Sequence, residues 1–245
     1  MNFKENVIRE LFYEQHNDVL FSNKYQYYQI AEHRFNRALE QLNYPNNKTI
    51  IEIGPFPGAG LYFFGENNKV IGIGKDSSGF SKKFKNSGGE FIEMDFEKRK
   101  INESLLNKAD ILLVQEVIEH IRQHYSFLKN ILNYLKKDGI LYLTTNNIFY
   151  SGYILKLMLG KNIYDSIKSE IEEYPGHTRY YDYYDYKELS QVLEDLNLEI
   201  VSSGRLNMYP PYYMYNNQVK GILKNLTIKL FPKRYSTHIE IIAKK

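Results

Sequence analysis

Apolar runs that end in glycine, proline or asparagine alternate along the chain with segments of helical periodicity. Most of these runs are rich in Ile, Leu and Val and show little polar alternation, as is typical of strands buried on both faces of a parallel sheet. The sequence predicts strands at residues 49–53, 69–74, 90–95, 109–116, 140–146, 198–201 and 238–243. Strands that alternate with helices predict an α/β fold with helices covering the sheet.

Amphipathic helices are predicted before the first strand and between later strands. Apolar residues recur three or four positions apart within residues 3–42 and 127–135. Further helices are expected from residues 61, 76 and 186. We expect a single domain, with N-terminal cap helices at 1–45, a ligand-binding core at 49–146, a helical lid insertion at 147–186, and a C-terminal helix with edge strands at 187–245.

The composition is that of an ordinary globular protein. The chain has 245 residues, 43% of them hydrophobic and 25% charged. Its net charge of +3, from 32 basic and 29 acidic residues, is too small and too dispersed to indicate nucleic-acid binding. The absence of cysteine excludes disulfides, thiolate zinc sites and cysteine nucleophiles, and it suits a reducing cytoplasm.

No targeting or membrane-spanning segment is predicted. The N-terminus lacks the apolar run of a signal peptide, and no apolar stretch reaches the roughly 18 residues needed to cross a bilayer. We therefore expect a soluble, cytoplasmic protein. The basic amphipathic stretch at 219–234 is either a peripheral contact with a membrane or lipid-linked substrate, or a core-packing helix with a solvated basic face.

The turn after the first predicted strand is a candidate ligand site. Glu52 lies near the end of the strand, and Gly54, Gly58 and Gly60 follow it with Phe56 between them. Glycines in this position let the backbone approach a nucleotide-like ligand beside the N-terminus of the next helix. Their G-x-x-x-G-x-G spacing differs from the G-x-G-x-x-G fingerprint, which disfavours a nicotinamide or flavin enzyme.

This turn resembles the first motif of class I S-adenosylmethionine-dependent methyltransferases, in which an acidic residue and alternate glycines follow an apolar strand. Glu52, Gly54 and Gly58 match that motif, whereas Phe56 stands where the family usually has another glycine. The most specific match is at residues 117–121, which resemble the family's Glu-Val-Leu-Glu-His-like turn after the fourth strand. The resemblance implies that the seven predicted strands form a Rossmann-like, mostly parallel sheet with an antiparallel last strand.

The resemblance also implies S-adenosylmethionine as cofactor, with S-adenosylhomocysteine as product. The motif residues Glu52, Gly54 and Gly58 would line the cofactor, and Gln115 would lie beside its methionine part. Arg34 lies in an arginine-aromatic pair similar to one in the family's entry helix. It would neutralise the methionine carboxylate, unless it is a surface residue of an amphipathic helix.

Two acidic residues are candidates for the adenosine part of the cofactor. The family's ribose-binding acid falls at Gly74, so Asp76 either substitutes for it or caps the next helix. Asp95 follows the third strand, where it would accept a hydrogen bond from the adenine amino group or simply solvate the loop.

Three residues are candidates for the transfer step. His177, in a His-x-Arg-x-aromatic stretch that many such enzymes carry, would act as a general base or would brace the loop. Glu116 would lie beside the transferring methyl group, and His120 is a further candidate catalytic residue. Arg179 and Tyr180 would anchor an anionic or sugar-like substrate, or would tie the lid down.

A zinc site is not expected. His120 and His124 are four residues apart on what should be one helical face, with Glu116 and Glu119 nearby. The order nevertheless differs from His-Glu-x-x-His, and no third ligand is indicated. A divalent-metal O-methyltransferase would want an Asp where Gln115 stands.

The expected function is methyl transfer from S-adenosylmethionine to a small polar acceptor. By family analogy alone, the acceptor is an oxygen of a sugar or sugar-linked group in surface-glycan or secondary-metabolite biosynthesis. N-methylation and O-methylation of a quinol or lipid precursor are alternatives. Phe56 and Gly74 also allow a cofactor-binding scaffold without catalysis, and a nicotinamide enzyme ranks third. The oligomeric state is not indicated.

Overall fold

A computed structural model describes residues 3–12, 24–76, 79–96, 98, 101–163, 184–206 and 235–245. The strands are β1 (Thr49–Ile53), β2 (Lys69–Gly74), β3 (Glu90–Glu93), β4 (Ala109–Gln115), β5 (Leu135–Asn146), β6 (Glu199–Leu206) and β7 (His238–Lys244). The described helices are α1 (Phe3–Val7), α2 (Lys24–Gln41), α3 (Ala59–Phe64), α4 (Phe80–Asn86), α5 (His124–Ile131), α6 (Ser151–Met158) and α7 (Tyr186–Asp195). Short turns are a π-helical one at Ile8–Phe12 and 3-10 ones at Glu103–Leu105, Ile118–His120 and Leu132–Tyr134.

The strands form one seven-stranded sheet in the order β3-β2-β1-β4-β5-β7-β6. β1 pairs in parallel with β2 and β4, and β4 pairs in parallel with β5. β7 is antiparallel to both β5 and β6. The expected Rossmann-like sheet with an antiparallel last strand is therefore confirmed, and β7 lies inside the sheet while β6 forms its edge.

Two apolar layers cover the sheet, because successive strand residues point to opposite faces. In β1, Ile51 and Ile53 belong to the layer that contains residues of α5 and α7. Ile50 belongs to the opposite layer, with residues of α2, α3 and α4. Helices on both faces follow from these nearly continuous apolar strands.

Several element boundaries differ from the predicted ones. The helix expected from Asp76 begins at Phe80, and Asp76 accepts a hydrogen bond from the N–H of Ser81 in the first turn of that helix. The third strand ends at Glu93, and the sixth extends to Leu206. The predicted helical segment 3–42 contains α1, the π turn and α2, with residues 13–23 outside the described part.

The predicted lid insertion contains α6, and its residues 164–183 lie outside the described part. Leu155, Leu157 and Met158 of α6 are exposed. No helix in the described parts of the chain is long and apolar enough to cross a bilayer.

A charged and polar cluster fastens α2 to the sheet. Arg37 of α2 donates two hydrogen bonds to the buried Glu240 of β7, at 3.2 and 2.9 Å. The Tyr142 hydroxyl on β5 donates to the same carboxylate at 2.7 Å. Burial and Glu240 raise the pKa of Tyr142 above its ordinary value. The Glu240 carboxylate therefore accepts hydrogen bonds from a residue of α2 and from a residue of β5.

Arg37→Leu is expected to lower the free energy of unfolding by about 2 kcal/mol, because it leaves a buried carboxylate without its cation. Urea unfolding measures the loss. Lys69→Leu is the control, since Lys69 pairs with the exposed Glu90 and should cost less than about 1 kcal/mol. Equal losses in the two variants would contradict the role assigned to the cluster.

Candidate functional site

The candidate site lies where β1 and β4 separate at the carboxyl edge of the sheet. β2 and β3 lie on one side of β1, whereas β4 and β5 lie on the other. The strand order therefore reverses between β1 and β4, and open α/β sheets bind ligands in the crevice at such a switch point. Glu52 from β1 and Gln115 from β4 are both located next to it.

The glycine turn after β1 has a conformation that requires small residues. Gly54 has φ +68°, and a Cβ there would lie 2.8 Å from Val117 Cγ2. Gly58 has φ +102°, and a Cβ there would overlap the Leu11 side chain. The N-terminal segment thus packs directly on the turn, and the glycines leave its backbone open to a ligand.

Phe56, which replaces a family glycine, lies outside the turn's interior. Its side chain is 48% exposed and packs edge-to-face on Phe80, with ring centroids 5.3 Å apart. Pro55 occupies the space beside β2, since a Cβ on Gly74 would lie 3.3 Å from Pro55 Cδ. The glycine at position 74 therefore accommodates the proline of the turn.

Glu52, on β1 beside the crevice, carries a buried carboxyl group. It is 5% exposed, and its Oε2 has no hydrogen-bond partner among the described residues. Burial raises the pKa of Glu52 to about 8, against the opposing effects of Arg34 and the Gly60 backbone N–H. A Cβ on Gly60 would overlap this carboxyl group, so Gly60 is the residue that lets α3 begin here.

Arg34 and Gln115 bring further unpaired polar atoms to the same crevice. Both amide atoms of Gln115 are buried without a partner in the described structure, and so is Arg34 Nε. Arg34 lies close enough to Glu52 and Glu116 to lower the pKa of both carboxyl groups. Buried polar groups are normally hydrogen-bonded, so these orphaned atoms indicate the position of a polar ligand.

Glu116 follows β4 directly and has a left-handed backbone, with φ +55°. Its Oε1 accepts a hydrogen bond from Thr144 Oγ1 at 3.0 Å, and its Oε2 lies 3.2 Å from His238 Nε2. Burial opposes ionisation, but His238, Arg34 and Thr144 together lower the pKa of Glu116 to about 2. Such a carboxylate is a weak base, which disfavours proton abstraction by Glu116 itself.

Glu119 is fully buried, and its carboxyl group interacts with that of Glu116. Its carboxyl accepts hydrogen bonds from Thr145 Oγ1 at 2.8 Å and from Asn146 Nδ2 at 3.3 Å. Burial and the neighbouring Glu116 raise the pKa of Glu119 well above its ordinary value. The environment thus shifts the pKa values of the two carboxyl groups in opposite directions.

The residues predicted for the adenosine part follow β2 and β3, which lie on the side of β1 away from β4. Asp95 forms an ion pair with Lys75 at 3.3 Å. Both Asp76 oxygens accept hydrogen bonds from Ser81, one from its N–H at 2.9 Å and one from its hydroxyl at 2.5 Å. These bonds lower the pKa of Asp76 and tie it to the first turn of α4, whose N-cap is Gly79 and not Asp76.

The remaining predicted residues are only partly described. His120 ends the 3-10 turn Ile118–His120, whereas His124 begins α5, so the expectation that they share one helical face was wrong. His177, Arg179 and Tyr180 lie outside the described residues, and so does the basic stretch 219–234. Within the described parts of the chain, no three His, Asp or Glu residues are placed to hold a metal ion.

His238 was missed by the sequence analysis. The available signal was a histidine at the start of a strand that continues as an apolar run.

A wide cleft of about 620 Å³ lies elsewhere, lined by Lys48, Asp110 and Lys137 at the amino ends of the strands. Because ligands of open α/β sheets bind at the carboxyl ends, this cleft does not compete with the crevice.

The sheet order, the glycine turn and the orphaned polar atoms define an α/β protein of the class that binds a cofactor at the carboxyl ends of its strands. The family described as "Methyltransferase domain" matches residues 23–203. The chain belongs to this family, whose members use S-adenosylmethionine as methyl donor.

Similar proteins include the ubiquinone biosynthesis O-methyltransferase of Rickettsia canadensis (strain McKiel), which is 26% identical over 110 residues. That match spans 44% of this chain and 44% of the relative, so the chain covers less than half of the relative's length.

Two solved structures have the same fold. One is a methyltransferase from Archaeoglobus fulgidus, with TM-score 0.57 and 17% identity over 88% of this chain and 94% of that one. The other is the 1,6-didemethyltoxoflavin-N1-methyltransferase of Burkholderia thailandensis, with bound 1,6-didemethyltoxoflavin and S-adenosylhomocysteine. It has TM-score 0.54 and 13% identity over 88% of this chain and 78% of that one.

Proposed function

We propose that the chain transfers a methyl group from S-adenosylmethionine to a hydroxyl oxygen of a small polar acceptor, with the cofactor held in the crevice between β1 and β4. The observation that carries the proposal is the group of buried, unpaired polar atoms on Arg34, Glu52 and Gln115. They lie beside a turn whose glycines permit close approach of a ligand.

The residues of the crevice suit the methionine end of the cofactor. Arg34 would bind the carboxylate, Glu52 would pair with the ammonium group, and the Gln115 amide would hydrogen-bond to the same end. Gly54 and Gly58 would let the backbone approach the cofactor, and Asp95 would face the adenine. Asp76 remains a candidate for the ribose, in competition with its bonds to Ser81.

The cofactor supplies an electrophilic methyl group. A new oxygen–carbon bond forms while the sulfur keeps the electron pair of the broken bond and the hydroxyl releases its proton. The chain's task is to hold the acceptor oxygen in line, which contributes on the order of 7–11 kcal/mol in well-oriented reactions. His177 is the proposed proton acceptor, with His120 as second candidate. Arg179 and Tyr180 are proposed for acceptor binding.

We infer that the acceptor is a sugar or a sugar-linked group, as the family resemblance suggests. A phenolic or quinol oxygen is the second candidate, favoured by the relative named for ubiquinone biosynthesis. Methyl-labelled S-adenosylmethionine, incubated separately with glycosides, catechols and amines, tests the choice. Label in ether products of glycosides supports the sugar, label in catechols supports the quinol, and label confined to amines contradicts O-methylation.

Cofactor binding is tested first by calorimetric titration with S-adenosylhomocysteine, with NAD as comparison ligand. We expect a Kd of about micromolar and a roughly tenfold loss in Gln115→Leu, because the variant removes a buried hydrogen-bonding group from the site. Gln191→Leu, on the exposed face of α7, is the matched control. The proposal fails if millimolar S-adenosylhomocysteine gives no heat or if NAD binds in its place.

Binding is also expected to release a proton near pH 7. The pKa of Glu52 is about 8 without ligand, so this carboxyl group is largely protonated, and pairing with the ligand's ammonium group favours its ionised form. Titrations in buffers of different ionisation enthalpy measure the released proton. Its persistence in Glu52→Gln would exclude Glu52 as the source.

A further inference from the structure

His238, the first residue of β7, lies at the carboxyl edge of the sheet because β7 runs antiparallel to β5. β7 is antiparallel, so His238 pairs with Asn146 at the end of β5 and with Leu206 at the end of β6. This topology brings an imidazole to the place where β4 ends and Glu116 begins its turn. The contact between His238 Nε2 and Glu116 Oε2, at 3.2 Å, results from it.

The His238 side chain is itself held on its other nitrogen. Nδ1 lies 2.6 Å from Thr237 Oγ1, and the Thr237 hydroxyl donates to the Leu206 carbonyl at 3.3 Å. The Thr237 hydroxyl therefore holds the ring at Nδ1, while Nε2 faces the Glu116 carboxylate. These two contacts fix the orientation of the imidazole against Glu116.

Glu116 is held through both its side chain and its backbone. Its carboxylate is bound through both oxygens, and its N–H donates to the Thr144 carbonyl at 3.0 Å. These bonds hold a non-glycine residue in left-handed backbone, a conformation that is costly and concentrates at functional sites. The groups facing the carboxylate are Arg34 from α2, His238 from β7, Thr144 from β5 and Glu119 from the following turn.

We propose that Glu116, oriented by His238, is the group by which the site distinguishes a cationic cofactor from its neutral product, which makes His238 a positioning residue. The proposal rests on the proposed function, since it places the cofactor beside Gln115 and Glu116. A sulfonium gains from a nearby carboxylate, and a thioether does not. Removal of His238 leaves Arg34 as the only cation among the groups named above, so burial beside Glu119 opposes ionisation of Glu116 more strongly.

The test compares two ligands in the intact chain. One is S-adenosylhomocysteine, and the other is sinefungin, an analogue in which a carbon bearing an ammonium group replaces the sulfonium. We expect the wild type to bind sinefungin about tenfold more tightly. Glu116→Gln and His238→Leu should each abolish this preference while changing S-adenosylhomocysteine affinity less than about threefold.

The double variant discriminates a positioning role from a general structural one. If His238 acts through Glu116, His238→Leu in the Glu116→Gln background should leave the ligand preference unchanged. His33→Leu, at an exposed position on α2, is the control. If His238→Leu does not fold, His238→Gln replaces it and should also lose the preference, because an amide carries no charge.

The outcomes separate the inference from the proposed function. Equal weakening of both ligands in the variants, or an unchanged preference in His238→Leu, overturns the role of His238 and leaves cofactor binding intact. Failure of the wild type to bind either ligand overturns the proposed function, and this inference with it.

Discussion

Gly60→Ala is expected to lower the free energy of unfolding by about 2–3 kcal/mol, although alanine normally favours a helix over glycine. The added Cβ would overlap the Glu52 carboxyl group, which is buried on all sides and cannot move into solvent. Urea unfolding gives the loss of stability. Titration with S-adenosylhomocysteine should show weaker binding, because the displaced carboxyl borders the proposed cofactor site.

A double-mutant cycle identifies the cause of this loss. In a Glu52→Ala background the clash is absent, so Gly60→Ala should cost close to nothing or stabilise α3 slightly. Gly204→Ala is the steric control, since nothing lies within 4 Å of a Cβ at Gly204. If Gly60→Ala is equally costly with and without the Glu52 carboxyl, the overlap does not explain its effect.

Glu52→Gln is expected to make the ligand-free protein more stable at alkaline pH. The pKa of Glu52 is about 8 in the folded chain, against an ordinary value of 4.5. A raised folded-state pKa gives stability that is complete below the unfolded pKa and is lost as pH rises through the folded pKa. Because one pKa unit is worth about 1.4 kcal/mol, the wild type should lose about 4 kcal/mol relative to the variant between pH 4.5 and 8.5.

Urea unfolding at several pH values tests this difference. The two proteins should be about equally stable near pH 4.5 and diverge steadily above it. Glu93→Gln, at an exposed position on β3, should follow the wild type throughout. A constant gap between wild type and Glu52→Gln across the whole range would mean that Glu52 does not titrate as proposed.

The sheet was predictable because its strands are nearly continuous apolar runs bounded by turn residues. Such runs are hydrophobic enough to be buried whatever the details of packing, and the helices between them fix their order. Boundaries were less predictable where a side chain changes the local bonding. Asp76 illustrates this point. It lies before α4, which begins only at Phe80, and it accepts hydrogen bonds from Ser81 in the first turn of that helix.

Half of the crevice was likewise predictable from local motifs. Glu52, Gly54 and Gln115 stand at strand ends, and Arg34 stands on the entry helix, all within recognisable patterns. The partners of these residues were not predictable, because they depend on long-range pairing. Neither His238 beside Glu116 nor Glu240 beside Arg37 follows from spacing, and the left-handed backbone of Glu116 has no sequence signal in a non-glycine residue.

The position of β7 between β5 and β6 has a consequence for synthesis on the ribosome. β6 leaves the ribosome before β7, yet β7 is the strand that pairs with β5. Until β7 emerges, β5 presents an unpaired edge to other chains, and β6 has no place in the sheet. The same strand carries His238 to Glu116, so both the sheet and this charged pair are complete only when β7 is in place.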